Sequence, residues 1–205
     1  MQIDHLVYAS PTLEQGMAEI QELTAVKPVI GGKHLQWGTW NALISLGPQC
    51  FFEIIAIDPA QSYVGPIIFD LDTITESKLV RWVAKSNRIP EQVKLAEAAG
   101  FSLGPVIEGQ REKQDGTLLK WSLTDPLSNP GDGLIPFLID WRDTPHPGSA
   151  TPKGCMLLAL SGKHPNPGII QQMLQAIELD FEIEKGKTIE LTATIQAPKG
   201  LIKIS

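Results

Sequence analysis

The chain opens on a short apolar run, Ile3-Asp4-His5-Leu6-Val7-Tyr8, whose length and composition predict a strand. Ser10-Pro11-Thr12 then reads as a helix start, and Leu13, Met17, Ile20 and Leu23 recur at helical spacing until Thr24-Ala25 ends the pattern. Further strands are expected at residues 26–30, 41–46 and 51–57, with Gly47-Pro48 as the turn between the last two. The order is strand, helix, three strands. It begins again at Lys78, with an apolar strand over residues 79–86, a helix opened by Pro90-Glu91 and closed by Gly100, and strands at 104–108, 118–123 and 134–141. A proline-rich connector from Asp143 to Pro152 leads to a third strand-helix pattern: a strand at 156–160, a helix over about 168–177, and strands at 181–184, 189–195 and 201–204. This repetition of one supersecondary unit predicts an α+β fold of paired βαβββ modules, residues 1–77 and 78–142. A connector at 143–153 and a C-terminal βαββ unit at 154–205 would complete one globular protein.

Two polar side chains break the apolar pattern. Alternate residues of a strand share a face, so His5 points with Ile3 and Val7, and Glu53 with Phe51 and Ile55. A buried carboxylate is costly without a partner. If the two strands face each other across a curved sheet, an imidazole and a carboxylate converge, as a divalent metal site or as a hydrogen-bonded pair.

Composition narrows the classes. With 205 residues, 42% of them hydrophobic, the chain can bury a substantial core. A formal net charge of -6 and the lack of any basic run argue against nucleic acid as a partner. The chain start shows no charged leader with an apolar signal core, and no apolar run approaches the roughly 20 residues that span a bilayer. A soluble, cytoplasmic protein with no membrane partner is expected. Cys50 and Cys155 stand far apart without CxxC spacing, as buried apolar residues would.

The duplicated unit, with Ile3-Asp4-His5 at its start and Glu53 in its last strand, resembles the vicinal oxygen chelate superfamily, and more narrowly its glyoxalase-like domain branch. The resemblance covers nearly the whole chain. It is carried by Gly31-Gly32-Lys33-His34 followed by Trp37-Gly38-Thr39-Trp40-Asn41-Ala42-Leu43, by Ile135-Pro136-Phe137-Leu138-Ile139-Asp140-Trp141 leading to His146-Pro147, and by Ala197-Pro198-Lys199-Gly200. It implies that the two modules form a cup-shaped mixed sheet around a divalent metal (Zn, Ni, Fe, Mn or Mg), with no nucleotide cofactor. His5 and Glu53 match the ligand positions of the first module. The second module departs from the pattern, offering Arg81 or Trp82 in its opening strand and Phe137, Leu138 or Asp140 in its last, with no histidine.

The resemblance implies a metal-assisted enzyme of lyase, isomerase, hydrolase or dioxygenase type acting on a small oxygenated substrate. The alternative it allows is a non-catalytic protein that binds or sequesters a small, antibiotic-like molecule. Glu53 and His34 are the candidate proton carriers, His34 from a loop after two glycines. Trp37, Thr39, Asn41, Arg81, Trp82 and Asp140 are the candidate substrate contacts. Most tryptophans serve packing, and His146 and His164 read as loop histidines. Dimers are common in the superfamily, so a homodimer is an expected partner state.

Overall fold

A computed structural model describes residues 2–112 and 118–205. The first module comprises β1 (Ile3–Ala9), α1 (Leu13–Thr24), β2 (Val29–His34), β3 (Thr39–Gly47) and β4 (Cys50–Ile57). The second comprises β5 (Lys78–Lys85), α2 (Ile89–Ala98), β6 (Val106–Glu112), β7 (Leu118–Thr124) and β8 (Phe137–Asp140). Together they build one eight-stranded sheet, in the order β2-β3-β4-β1-β5-β8-β7-β6. Within each module the first strand runs parallel to the last (β1 with β4, β5 with β8), and the modules join antiparallel through β1 and β5. The paired-module α+β architecture expected from the repeat is present.

Local chemistry sets the element ends. Thr12 caps α1 by accepting from the Gln15 backbone N–H at 3.2 Å. The helix stops at Ala25, held at φ 63°, where the Thr24 hydroxyl accepts from the Val26 N–H. That turn delays β2, expected from residue 26, until Val29, and β2 runs on through Gly31 and Gly32, so His34 ends an edge strand and does not sit in a glycine loop. The expected long strand at 134–141 is only Phe137–Asp140, preceded by a 3-10 turn over residues 130–133 with Gly131 and Asp132 at positive φ.

Both faces of the central strands are covered, and their sequences are correspondingly apolar throughout. Leu6, Phe52, Ile54 and Trp82 face the helices and the C-terminal unit in one core; Val7, Phe51, Ile55 and Val83 face the concave side in another.

The C-terminal unit comprises β9 (Met156–His164), α3 (Pro167–Ala176), β10 (Ile183–Lys185), β11 (Glu190–Ala197) and β12 (Gly200–Ile204). Three strands follow its helix, one more than a βαββ unit has. Its sheet order is β10-β9-β11-β12, with the opening strand between β10 and β11. In the first two modules the opening strand lies beside the fourth instead. The third strand-helix pattern is therefore a different topology, not a third copy of the module. Among the described residues, no helix is long and apolar enough to cross a membrane.

Candidate functional site

The concave face of the large sheet forms a half-open cavity, with about 630 Å³ of space counted out to its open mouth. Its walls are mostly apolar, with Trp37, Phe51, Phe69, Trp121, Phe137 and Trp141 among them, and four polar side chains reach in: His5, His34, Asn41 and Glu53. A few convergent polar groups in an apolar concavity are the usual composition of a small-molecule site.

β1 and β4 are parallel neighbours, so His5 and Glu53 do not face each other across the sheet. His5 lies beside Phe51 and Val7 beside Glu53, which makes His5 and Glu53 diagonal neighbours on one face. The His5 ring stacks on Phe51 at 4.4 Å between centroids, and its Nε2 lies 3.6 Å from Glu53 Oε2. Asn41, from β3, donates Nδ2–H to Glu53 Oε1 at 2.5 Å. His34 sits at the end of β2, with Nδ1 3.1 Å from the Thr39 hydroxyl and Nε2 4.0 Å from Glu53 Oε1. Three strands of one module thus aim side chains at a carboxylate on the fourth, itself only 7% exposed.

Behind His5 lies Asp4, with no exposed surface. Strict alternation would send Asp4 to the opposite face. Instead, β1 carries one extra residue against β5 between the pairs Ile3–Ala84 and His5–Val83, a bulge centred on Asp4. Asp4 Oδ1 lies 2.7 Å from His5 Nδ1, Trp141 Nε1–H donates to both Asp4 oxygens at 3.2 and 3.0 Å, and His146 Nε2 lies 3.2 Å from Oδ2. Burial alone pushes the Asp4 carboxyl upward. The hydrogen bonds from His146 and His5, with the attraction of both rings, more than offset that and pull it down to about 2.

Other expected contacts lie elsewhere. Trp82 does not reach the cavity: it is fully buried on the opposite face, donates Nε1–H to the Leu134 carbonyl at 2.8 Å and packs on Phe181. Arg81 lies outside the lining, its guanidinium 5.6 Å above the Phe69 ring and hydrogen-bonded to the Asn129 side chain and the Val80 carbonyl. Asp140 accepts from the Arg142 N–H and does not line the cavity, and Thr39, fully buried, acts through His34. Trp37 stands edge-on to His34 at 6.0 Å.

Asp4, Phe69 and His146 lie outside the expected contacts, while Phe137, one of the three residues offered by the last strand of the second module, lines the cavity. The one sequence signal for Asp4 was a charged residue within an otherwise apolar central strand; His146 gave none beyond the His146-Pro147 pair. On its cavity side the second module presents Trp121, Leu123, Phe137 and Ile139. Among the described residues, no group of three or more His, Cys, Asp or Glu side chains is arranged to hold a metal ion. Cys50 and Cys155 are both free thiols away from the cavity lining.

Residues 3–177 match the family described as "Glyoxalase-like domain". A hypothetical protein from Staphylococcus aureus superposes with a TM-score of 0.65 at 16% identity, covering 98% of this chain and 83% of that one. A mutant of 4-hydroxymandelate synthase from Streptomyces coelicolor superposes with a TM-score of 0.54 at 11% identity, over 98% of this chain and 61% of the other. Methylmalonyl-CoA epimerase from Mycobacterium tuberculosis, at 14% identity, covers 67% of this chain and 85% of its own, with a TM-score of 0.45. At these identities the first two likenesses concern the fold alone. No curated protein sequence matches the chain.

Proposed function

The chain belongs to the glyoxalase-like domain family of the vicinal oxygen chelate superfamily, and on that premise we propose that its cup is the active site of an enzyme that moves a proton on a small oxygenated substrate, with Glu53 as the base. The observation that carries this reading is the setting of Glu53, a carboxylate lining an apolar cavity, approached by Asn41 at one oxygen and by His5 at the other. Buried carboxylates that only stabilise a fold are closed off by partners. Glu53 keeps a side open to the cavity, within reach of a bound molecule.

The family implies a divalent metal, and His5 and Glu53 are the residues that would hold it. Their chemistry fits an open site. His5 Nδ1 is engaged by Asp4, which leaves Nε2 directed at Glu53, and a neutral imidazole nitrogen beside a carboxylate is a common donor pair with a supported outer shell. Two protein donors leave other positions to substrate oxygens and water. A bound ion would supply Lewis acidity, polarising a substrate oxygen.

The chain's own residues account for the rest. Asn41 orients the Glu53 carboxylate through Oε1, and His34, anchored on Thr39, stands within 4.0 Å of the same oxygen as a second proton carrier. Trp37, Trp121 and Phe137 supply apolar walls that exclude water and favour a substrate with a flat or aliphatic body. A second reading, ligand binding without turnover, is favoured by the apolar second half of the cup.

The test is exchange of solvent deuterium into α-hydroxy and α-keto compounds, with and without added Mn²⁺ or Zn²⁺, alongside elemental analysis of wild type and His5→Ala. Catalysed exchange that falls at least 100-fold in Glu53→Gln, with ligand affinity retained, is the expected outcome. No exchange in wild type, with ligand affinity indifferent to Glu53→Gln and His5→Ala, would leave a binding protein.

A further inference from the structure

His146 lies on the segment between β8 and β9, in a sequence pair that the proposed chemistry leaves without a task. It is 6% exposed and caps the short turn at Pro147–Ser149. Its hydrogen bonds settle which nitrogen carries the proton. The Gly148 backbone N–H can only donate, and it lies 3.1 Å from His146 Nδ1, so Nδ1 holds a lone pair. The ring hydrogen of the neutral imidazole is then on Nε2, directed at Asp4 Oδ2. Trp141 Nε1–H, also a donor only, occupies Asp4 as well. Asp4 thus accepts at both oxygens, and the same acceptor role across its 2.7 Å contact with His5 places the hydrogen on His5 Nδ1.

Two buried carboxylates compete for that one hydrogen. Asp4 lies on the Nδ1 side of His5 and Glu53 on the Nε2 side, at 3.6 Å. If Glu53 won, Nε2 would carry the hydrogen and His5 would have no lone pair to offer the cavity. We propose that His146 is a positioning residue that decides this competition: by donating to Asp4 it holds that carboxylate against His5 Nδ1, so that His5 presents its Nε2 lone pair beside Glu53. The inference rests on the reading of the cup as a functional site, but its geometry is independent of which reaction occurs there. The chain of contacts runs from a backbone N–H of the connector, through His146 and Asp4, to a cavity side chain, so the connector is part of the site it adjoins.

Nitrogen-15 spectra of the imidazole rings in the full-length protein, recorded without substrate, read the tautomer directly. Wild type is expected to show His5 with Nδ1 protonated and Nε2 unprotonated. His146→Phe keeps a ring against Phe51 and Trp141, now 5.5 and 6.1 Å from His146 between centroids, and removes the donor. The His5 tautomer ratio should then shift about tenfold towards Nε2–H, the effect of one hydrogen bond. His146→Gln, whose amide can donate to Asp4 and accept from Gly148, should restore most of the wild-type ratio, which loss of packing alone would not predict. If His146→Phe does not fold, Gly148→Ala replaces it: a Cβ there would stand 3.0 Å from His146 Nδ1 and should move His5 the same way. A His5 that is doubly protonated or Nε2-protonated in wild type, or one unmoved by these substitutions, overturns the proposal. Failure to find turnover would count against the enzyme reading and leave these spectra untouched.

Discussion

Asp4 is the residue through which the site and the stability of the protein meet. It is fully buried, its carboxyl is drawn down to about 2, and it accepts from three side chains contributed by β1, by Trp141 after β8, and by the connector. A group whose folded value lies below its unfolded one stabilises the fold above the unfolded value, and that contribution is lost as pH falls towards the folded one. For a drop from 3.8 to about 2 it is on the order of 2 kcal/mol. Thermal unfolding of wild type between pH 5 and pH 2 should therefore show a steep loss that Asp4→Asn lacks, with the two curves converging near pH 2. A constant gap between them would mean that the Asp4 charge does not matter. The residue was visible in the sequence only as an oddity, because its orientation depends on a bulge, and a bulge is a property of the pairing between two strands and not of either one.

At the scale of elements, β2 shows how backbone chemistry serves the cavity. It is an edge strand with a bulge between Ile30 and Gly32, and its glycines let it approach β3 closely. A Cβ on Gly31 would stand 2.3 Å from Asn41 Oδ1 and 3.0 Å from Leu43, both lining residues. Asn41 has no room to yield without breaking its bond to Glu53, and its Oδ1 is already a buried atom without a partner. Gly31→Ala should therefore cost roughly 1–3 kcal/mol of stability by crowding a packed face and weaken ligand binding at the cup. A matching Gly200→Ala, at the turn into β12, meets no neighbour at its Cβ but sits at φ 113°, so it should cost stability through backbone strain and leave binding unchanged. Equilibrium urea unfolding and ligand titration of the two variants would separate crowding of the site from a general strand effect. The helices were legible from periodicity, and β2 was expected over 26–30, but its run through Gly31 and Gly32 to His34 was not, since glycine-rich segments carry no period and strand pairing decides their state.

For the whole molecule, the decisive feature is that the C-terminal unit shares a core with the large sheet. Trp82 of β5, Leu134, and Phe181 ahead of β10 belong to one buried cluster that also holds Leu6, Ile54 and Ile195. Trp82, read as a ligand contact, is instead the pin between the two sheets. Trp82→Ala should remove roughly 3–5 kcal/mol while leaving the cavity side chains in place. The chain should still unfold in a single transition, because the C-terminal sheet has no core apart from the cluster it shares with the large sheet. Calorimetry that resolved two transitions, or a variant that lost ligand binding in proportion to stability, would contradict this account.

By itself, the order of apolar and polar positions determined the repeated βαβββ unit, the helices, and the strand faces that place His5 with Val7 and Glu53 with Phe51 and Ile55. These are consequences of local periodicity, which a sequence carries whole. Only the tertiary structure decided that β1 and β4 are neighbours, which residue of the Arg81-Trp82 pair is buried on the far face, and that the last unit has its own strand order. Only it brought Asp4, Trp141 and His146 together behind His5. Those contacts join residues more than a hundred positions apart, and no pattern along the chain encodes a distance that exists only after the sheet has curled.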